Sequence, residues 1–197
     1  MIDVFDLPEK TEEIIIWDVE CTSWKGSAEM KWGRPGEYRE LVEIGAAKVH
    51  LGSLTEVDSL SQLVKPEINP ELSKYFMKLT HISQAILDEK SIGFPEALEK
   101  FQNFCSLRPL FSWSHFDMQV LLENCLIHSR KCPFTHDRFF DIRYIFFLCG
   151  VRIEEFQSST ITQAFNKVSP YSGHRAINDC RTILEALREL NKQMKAV

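Results

Sequence analysis

The spacing of hydrophobic and polar positions along the chain predicts a mixed set of elements. Residues 13–19 form a short apolar run suited to a central strand. Residues 41–50, "LVEIGAAKVH", and about 56–65, ending "SQLVK", read as two further strands. The "LGSLTE" between them carries turn chemistry, so the pair is expected as an antiparallel hairpin, closed by Pro66 and Pro70. "PELSKYFMKL" and "SQAILDEK" read as short helices, the second capped by Ser83. Phe94 to Cys105 places Phe94, Ala97, Leu98, Phe101, Phe104 and Cys105 at helical spacing, which marks a helix with one buried face.

"PLFSWS" (109–114) is a short strand, and Asp117 to His128 an amphipathic helix with Met118, Leu121, Leu122, Cys125 and Leu126 along one stripe. "FFDIRYIFFLCG" (139–150) reads as a largely buried helix stopped by Gly150. "TITQAFNKV" is another short helix, and a closing helix runs from about Ala176 to Met194. Three strands, then helix, strand and helices, imply an α/β fold with a mixed sheet flanked by helices.

Between the first two strands, residues 21–40 form a polar loop containing Gly, Pro, Trp24 and Trp32. A chain of 197 residues, with Gly and Pro spread thinly, fits one domain over 1–197 with a core at about 12–194. The N-terminal "MIDVFDLPEKTEE" lacks a basic and then apolar leader pattern. No apolar run reaches the roughly 18 residues a membrane span needs. The expectation is a soluble, cytoplasmic protein with no membrane partner.

The net charge of −5 argues against wrapping long duplex DNA, which normally needs a basic surface. It leaves room for a small nucleic-acid site whose phosphates meet bound metal. The six cysteines sit mostly in apolar or helical stretches and are expected to be reduced. Cys125, His128, Cys132 and His136 have zinc-type side chains in a C-x2-H-x3-C-x3-H order. Cys125 also fits the core stripe of its helix, and the two-plus-two grouping of a zinc finger is missing, so the core reading is preferred.

The acidic residues carry the chemistry. In "IIIWDVECTS", strand alternation puts Ile14, Ile16, Asp18 and Glu20 on one face. Two neighbouring carboxylates at a strand end would suit a divalent metal, or a strand running out into solvent. Asp117 follows the 109–114 strand as its helix begins, and Asp179 lies in the first turn of the last helix. If the two strands are parallel neighbours, these acids open on one sheet edge, the usual place for an α/β site. Four converging carboxylates could not all stay ionised without cations. Two Mg²⁺ or Mn²⁺ ions, suited to hard oxygen ligands, would supply the charge and form a phosphodiester-cleaving pair.

His174 precedes Asp179 by five residues in "SGHRAINDC". On a regular helix the two would stand about 140° apart, so His174 is expected just before the helix, with Gly173 allowing a bend. An imidazole there would serve as general base. Taken alone, it could equally be a surface or capping residue.

"WDVE", the aspartate of "SHFDMQVLLENC", and "HRAIND" resemble the three exonuclease motifs of the DEDDh 3′–5′ exonucleases, the DnaQ-like group of the ribonuclease-H-like fold. The resemblance spans about residues 12–190. "LVKPEINPELSKYFMKLTHISQAILDE" is similar to a segment of the branch that trims histone mRNA and small RNAs. The resemblance implies a five-stranded mixed sheet with the site at one edge. It also implies Asp18, Glu20, Asp117 and Asp179 as metal ligands and His174 as base. Two departures stand out: His81 in "LTHI" and Ser114-His115-Phe116 before Asp117 occupy places where relatives commonly carry Gly.

By the same resemblance, Cys21, Thr22 and Trp24 emerge beside the metals toward the terminal nucleotide. His81 and His115, at the two departures, could alter how the terminal base is held, and Arg175 beside His174 could touch phosphate. Arg175 could equally be a solvated charge. Trp24 and Trp32, interleaved with Lys25, Lys31 and Arg34, suit a stacking and phosphate-steering loop, although Trp32 could simply pin the loop. The expected function is removal of 5′-mononucleotides from the 3′ end of single-stranded nucleic acid, RNA favoured over DNA. The alternatives are a DNA-directed exonuclease, degradative or proofreading, and a binding module that kept the fold without the chemistry.

Overall fold

The computed structural model describes residues 11–195. The reading of the extreme N-terminus therefore lies largely outside the described residues. Five strands form one mixed sheet in the order β3-β2-β1-β4-β5. They are β1 (Glu13–Cys21), β2 (Leu41–His50), β3 (Thr55–Leu63), β4 (Leu110–Ser112) and β5 (Phe139–Asp141). β1, β2 and β3 make an antiparallel meander, whereas β4 and β5 run parallel to β1. The predicted β2–β3 hairpin is present.

The central strand is apolar on both faces, as a strand covered on both sides must be. Ile15, Trp17, Val19 and Cys21 join a core with α3 (Phe94–Cys105) and α4 (Phe116–Ile127). Ile14 and Ile16 face the other way, into a core with α5 (Arg143–Leu148) and α6 (Ala176–Lys195). The predicted alternation therefore holds, and it aims Asp18 and Glu20 toward α6. A third cluster packs Val42 and Leu63 beneath α1 (Lys74–Thr80) and α2 (Gln84–Lys90). Ser83 caps α2 as expected, its hydroxyl accepting from the Ile86 amide.

Gly45 of β2 lets α6 approach the sheet. A Cβ there would stand 2.2 Å from the Ile177 nitrogen and 2.3 Å from the Ala176 carbonyl carbon. No other residue fits this contact without moving the helix.

Three expectations are corrected. The 139–150 run is not one buried helix: its first residues pair with β4 as strand β5, and only Arg143–Leu148 is helical. Within that helix Ile145 and Phe146 are buried, but Tyr144, Phe147 and Leu148 are 55%, 58% and 60% exposed. A short aromatic run has no periodicity long enough to separate strand from helix. "TITQAFNKV" yields a 3₁₀ turn at Ile161–Phe165 rather than an α-helix. β4 stops at Ser112, and Ser114 takes a positive φ of 116°. That backbone region is one that glycine adopts most readily.

Among the described residues, no helix is long and apolar enough to cross a membrane.

Candidate active site

The site sits where β1 and β4 end side by side. Strand alternation delivers Asp18 and Glu20 from β1. Asp117 enters from the first turn of α4, and Asp179 from the first turn of α6. Asp18, Asp117 and Asp179 are buried, and Glu20 is half-buried. The Val19 amide donates to Asp117 Oδ1 at 3.2 Å, which locks α4 to the end of β1.

Electrostatics mark the cluster as charge-starved. Burial, then the neighbouring Asp117, Asp179 and Glu20, hold Asp18 well above the ordinary carboxylate range. Burial and then Asp179 do the same to Glu20, with Arg175 pulling the other way. Burial pushes Asp117 up to about 7 against the Val19 amide, and Asp179 up to about 7 against the His174 amide and the Ser158 hydroxyl. Such a group of acids calls for a cation.

The donor set fits a divalent ion. A carboxylate oxygen of Glu20, one of Asp179 and a ring nitrogen of His174 all lie within 4.8 Å of one another, the one such grouping among the described residues. The imidazole therefore stands beside two acids that could hold an ion. Asp179 Oδ1 is buried without a hydrogen-bond partner among them, a group that a cation would satisfy. Asp18 and Asp117 line the same cleft, outside that grouping.

His174 lies before α6, as its spacing requires, but the bend is not at Gly173. His174 itself takes the left-handed backbone, with φ 59°. Gly173 serves a close approach instead, since a Cβ there would stand 2.8 Å from Ser159 Cβ. Burial, and secondarily the nearby His81, lower the His174 pKa below 6.5. A neutral imidazole at pH 7 is the form that accepts a proton.

A cleft of about 750 Å³ opens over these residues, walled by Trp32, Trp113 and Phe116. A side slot of about 150 Å³ adjoins it, lined by Trp24, Trp32, Tyr75, Leu79 and Phe116. Of the expected substrate contacts, Cys21 and Trp24 line this slot. Trp32 pins the loop: its indole N–H donates to the Thr22 carbonyl at 2.8 Å, and its ring packs on Phe116 and under Arg39.

The Cys21 sulfur faces the α4 core, where burial pushes the thiol up. Thr22 is occupied internally, its hydroxyl donating to the Tyr38 carbonyl and accepting from the Glu40 amide at 3.0 Å. His81 is exposed at the left-handed C-cap of α1, with φ 59°, a position glycine favours. His115 is exposed and outside the cleft lining. Arg175 is not a solvated charge; it forks onto the buried Glu43.

The zinc-type side chains do not assemble. Cys125 lies in the core with Cys132 packed against it, His128 stacks on Phe94 at 4.7 Å, and His136 is exposed in a separate turn.

The sequence pattern does not single out Tyr75, Leu79 and Phe116, because the slot forms only where the 21–40 loop packs beside them. Glu43 was also missed, although a lone acid inside "LVEIGAA" signals a buried charge.

Comparison with known proteins decides the family. The model of the exonuclease family (RNase_T, "Exonuclease") matches residues 15–187. The chain belongs to that exonuclease family. With its three motifs it is a 3′–5′ exonuclease. A probable 3′–5′ exonuclease, KapD of Bacillus subtilis (strain 168), is 26% identical over 93% of this chain and 87% of its own length. The 3′–5′ exoribonuclease 1 of Rattus norvegicus is 35% identical over 56% of this chain, a stretch matching 35% of that longer protein. In structure, the nuclease domain of 3′hExo, a DEDDh family member bound to rAMP, superposes with a TM-score of 0.79 at 22% identity, covering 95% of both chains.

Proposed function

We propose that this exonuclease removes nucleotides one at a time from the 3′ end of single-stranded RNA, with Mg²⁺ or Mn²⁺ as cofactor. Asp18, Glu20, Asp117 and Asp179 are the residues that would hold the ions, and His174 is the general base. The observation that carries the reading is the meeting of Glu20, His174 and Asp179 within 4.8 Å around an unpartnered buried oxygen of Asp179.

Bound divalent ions supply the positive charge that lets the acids ionise and that stabilises the developing charge on the leaving oxygen. The protein's own groups do the rest. His174, neutral at physiological pH, takes the proton of the attacking water. The aromatic slot beside Glu20 receives the terminal base by stacking, a sequence-tolerant contact. The cleft orients the terminal phosphodiester over the acids.

RNA is favoured because relatives of this chain are named exoribonucleases. Of the structural neighbours, one is bound to rAMP and one is described for its recognition of a histone mRNA stem-loop. Both have higher TM-scores than the exonuclease I complexes with DNA strands. A net charge of −5 fits short, flexible single strands better than long duplex. The test is degradation of matched RNA and DNA strands, each with a free or blocked 3′ end, in Mg²⁺, Mn²⁺ and chelator. Loss of only free-ended RNA, abolished by chelator, is expected. Faster loss of DNA would move the substrate to DNA, and attack on blocked ends or closed circles would overturn the exonuclease reading.

A further inference from the structure

Glu43 is a fifth carboxylate beside the four acids, and nothing in the proposed reaction uses it. It is fully buried on β2, directly opposite Glu20 of β1. Like charges paired across strands repel, so this position needs a reason.

Its oxygens are fully engaged. Oε1 accepts from Arg175 Nη2 at 2.8 Å and from the Ser61 hydroxyl at 3.0 Å. Oε2 accepts from Arg175 Nε at 3.0 Å and from the Ala176 amide at 3.1 Å. Four donors fill the acceptor capacity of a carboxylate, so Glu43 offers nothing to a cation. What it holds is the start of α6. The Arg175 carbonyl accepts from the Asn178 and Asp179 amides at 2.8 and 3.0 Å, the first bonds of that helix. The Ala176 amide is one that a helix start leaves without an intrahelical partner, and Glu43 caps it from a strand 133 residues away.

The residue before this anchor is His174 in its left-handed conformation, and the helix turn after it carries Asp179. The anchor also places a guanidinium where it counters the charge of Glu20.

We infer that Glu43 is a positioning residue for the hydrolytic reaction: through Arg175 and the Ala176 amide it fixes the turn that brings His174 over Glu20 and Asp179. The inference rests on the proposed exonuclease reading with His174 as base. It requires that loosening the anchor slow the chemical step and leave substrate binding in the slot alone.

The experiment measures kcat and KM on a labelled single-stranded oligoribonucleotide at saturating Mn²⁺, with Tm recorded for each variant. Glu43→Gln keeps the shape but weakens the fork, and kcat should fall about 10–100-fold, the usual effect of losing an orienting partner. KM should stay within about threefold, as for a group acting on the reaction and not on ground-state binding. Arg175→Lys, which keeps the charge and loses the fork, should lose a similar factor, and it carries the same test should Glu43→Gln fail to fold. The double variant should be no slower than the slower single, because the two act as one unit. Arg181→Gln breaks another forked ion pair of α6, to Glu56, and should lower Tm with kcat unchanged.

A folded Glu43→Gln with wild-type kcat overturns the inference. So does an equal loss in Arg181→Gln, or losses that multiply in the double variant. His174→Asn is measured alongside: wild-type turnover there sinks the base assignment itself, a result distinct from any obtained at Glu43.

Discussion

The backbone amide of Val19 donates to the carboxylate of Asp117 at 3.2 Å, across 98 residues of sequence. One hydrogen bond thus ties the end of the central strand to the start of α4. Asp117→Asn keeps an acceptor for Val19 while removing a buried charge. The variant should fold, with a Tm in chelator at or above that of the wild type. Hydrolysis should fall by more than about 100-fold, beyond what loss of an outer partner of a metal ligand costs. Near-normal hydrolysis at saturating Mn²⁺ would remove Asp117 from the site.

The acid cluster also sets a pH dependence, with a definite sign. Burial lifts Asp117 and Asp179 from the ordinary 3.8 to about 7, and Asp18 and Glu20 are raised too. Between those values the folded protein holds protons that the unfolded chain has released. The contribution of these groups is therefore fully present below 3.8 and is lost as pH rises through about 7. In chelator, Tm should fall between pH 5 and pH 8, ranges set by the same linkage. The fall should be shallower in Asp117→Asn. Mn²⁺ binds the ionised folded form, so its stabilising effect should be larger at the upper end of that range. A chelated protein whose Tm climbs with pH, by the same amount in both variants, contradicts this account of the cluster.

His174 has two properties to separate, its imidazole and its backbone. The φ of 59° is one that asparagine tolerates better than alanine does. His174→Asn should therefore retain the turn and Mn²⁺ binding by calorimetry, while turnover slows about 10²–10⁴-fold. Full turnover in that variant would show that another group takes the proton.

Much of this site is legible in the sequence because strand alternation and helix starts are local signals. Ile14, Ile16, Asp18 and Glu20 sort to one face by period alone, and the structure sends that face to α6. Asp179 is readable as a first-turn acid of a strongly amphipathic helix. α4, which carries Asp117, buries Val120 and Asn124 and exposes Leu122 and Leu126, so the expected stripe does not hold there. What local pattern could not supply is the identity of distant partners. Arg175 finds Glu43 across 132 residues, and Asn124 takes the Leu41 amide across 83. Thr22 looked available to substrate only because its bonds to Tyr38 and Glu40 form when the 21–40 loop closes on itself. The helix expected over 139–150 failed for a different reason: "FFD" pairs with β4, and edge pairing leaves no periodic trace in three residues.

The two loop tryptophans should separate cleanly by substitution. Trp24 lines the side slot, and its backbone amide, not its ring, holds the loop, donating to the Ser27 hydroxyl at 2.8 Å. Trp24→Ala should leave Tm nearly unchanged and raise KM for a single-stranded oligoribonucleotide. Stacking of about 1–3 kcal/mol per base corresponds to about 5- to 150-fold in KM. Trp32 also borders the slot, but its indole N–H bond to Thr22, its packing on Phe116 and the Arg39 guanidinium above it make it a loop anchor. Trp32→Ala should therefore lower stability by about 1–3 kcal/mol, in the range for losing a packed, hydrogen-bonded side chain. Its effect on KM should follow from the loosened loop and shrink at lower temperature, where the loop is better held. Equal Tm losses in the two variants, or an unchanged KM in Trp24→Ala, would take the terminal base out of this slot. The structural role of Trp32 would survive that result, because its bonds are to the protein itself.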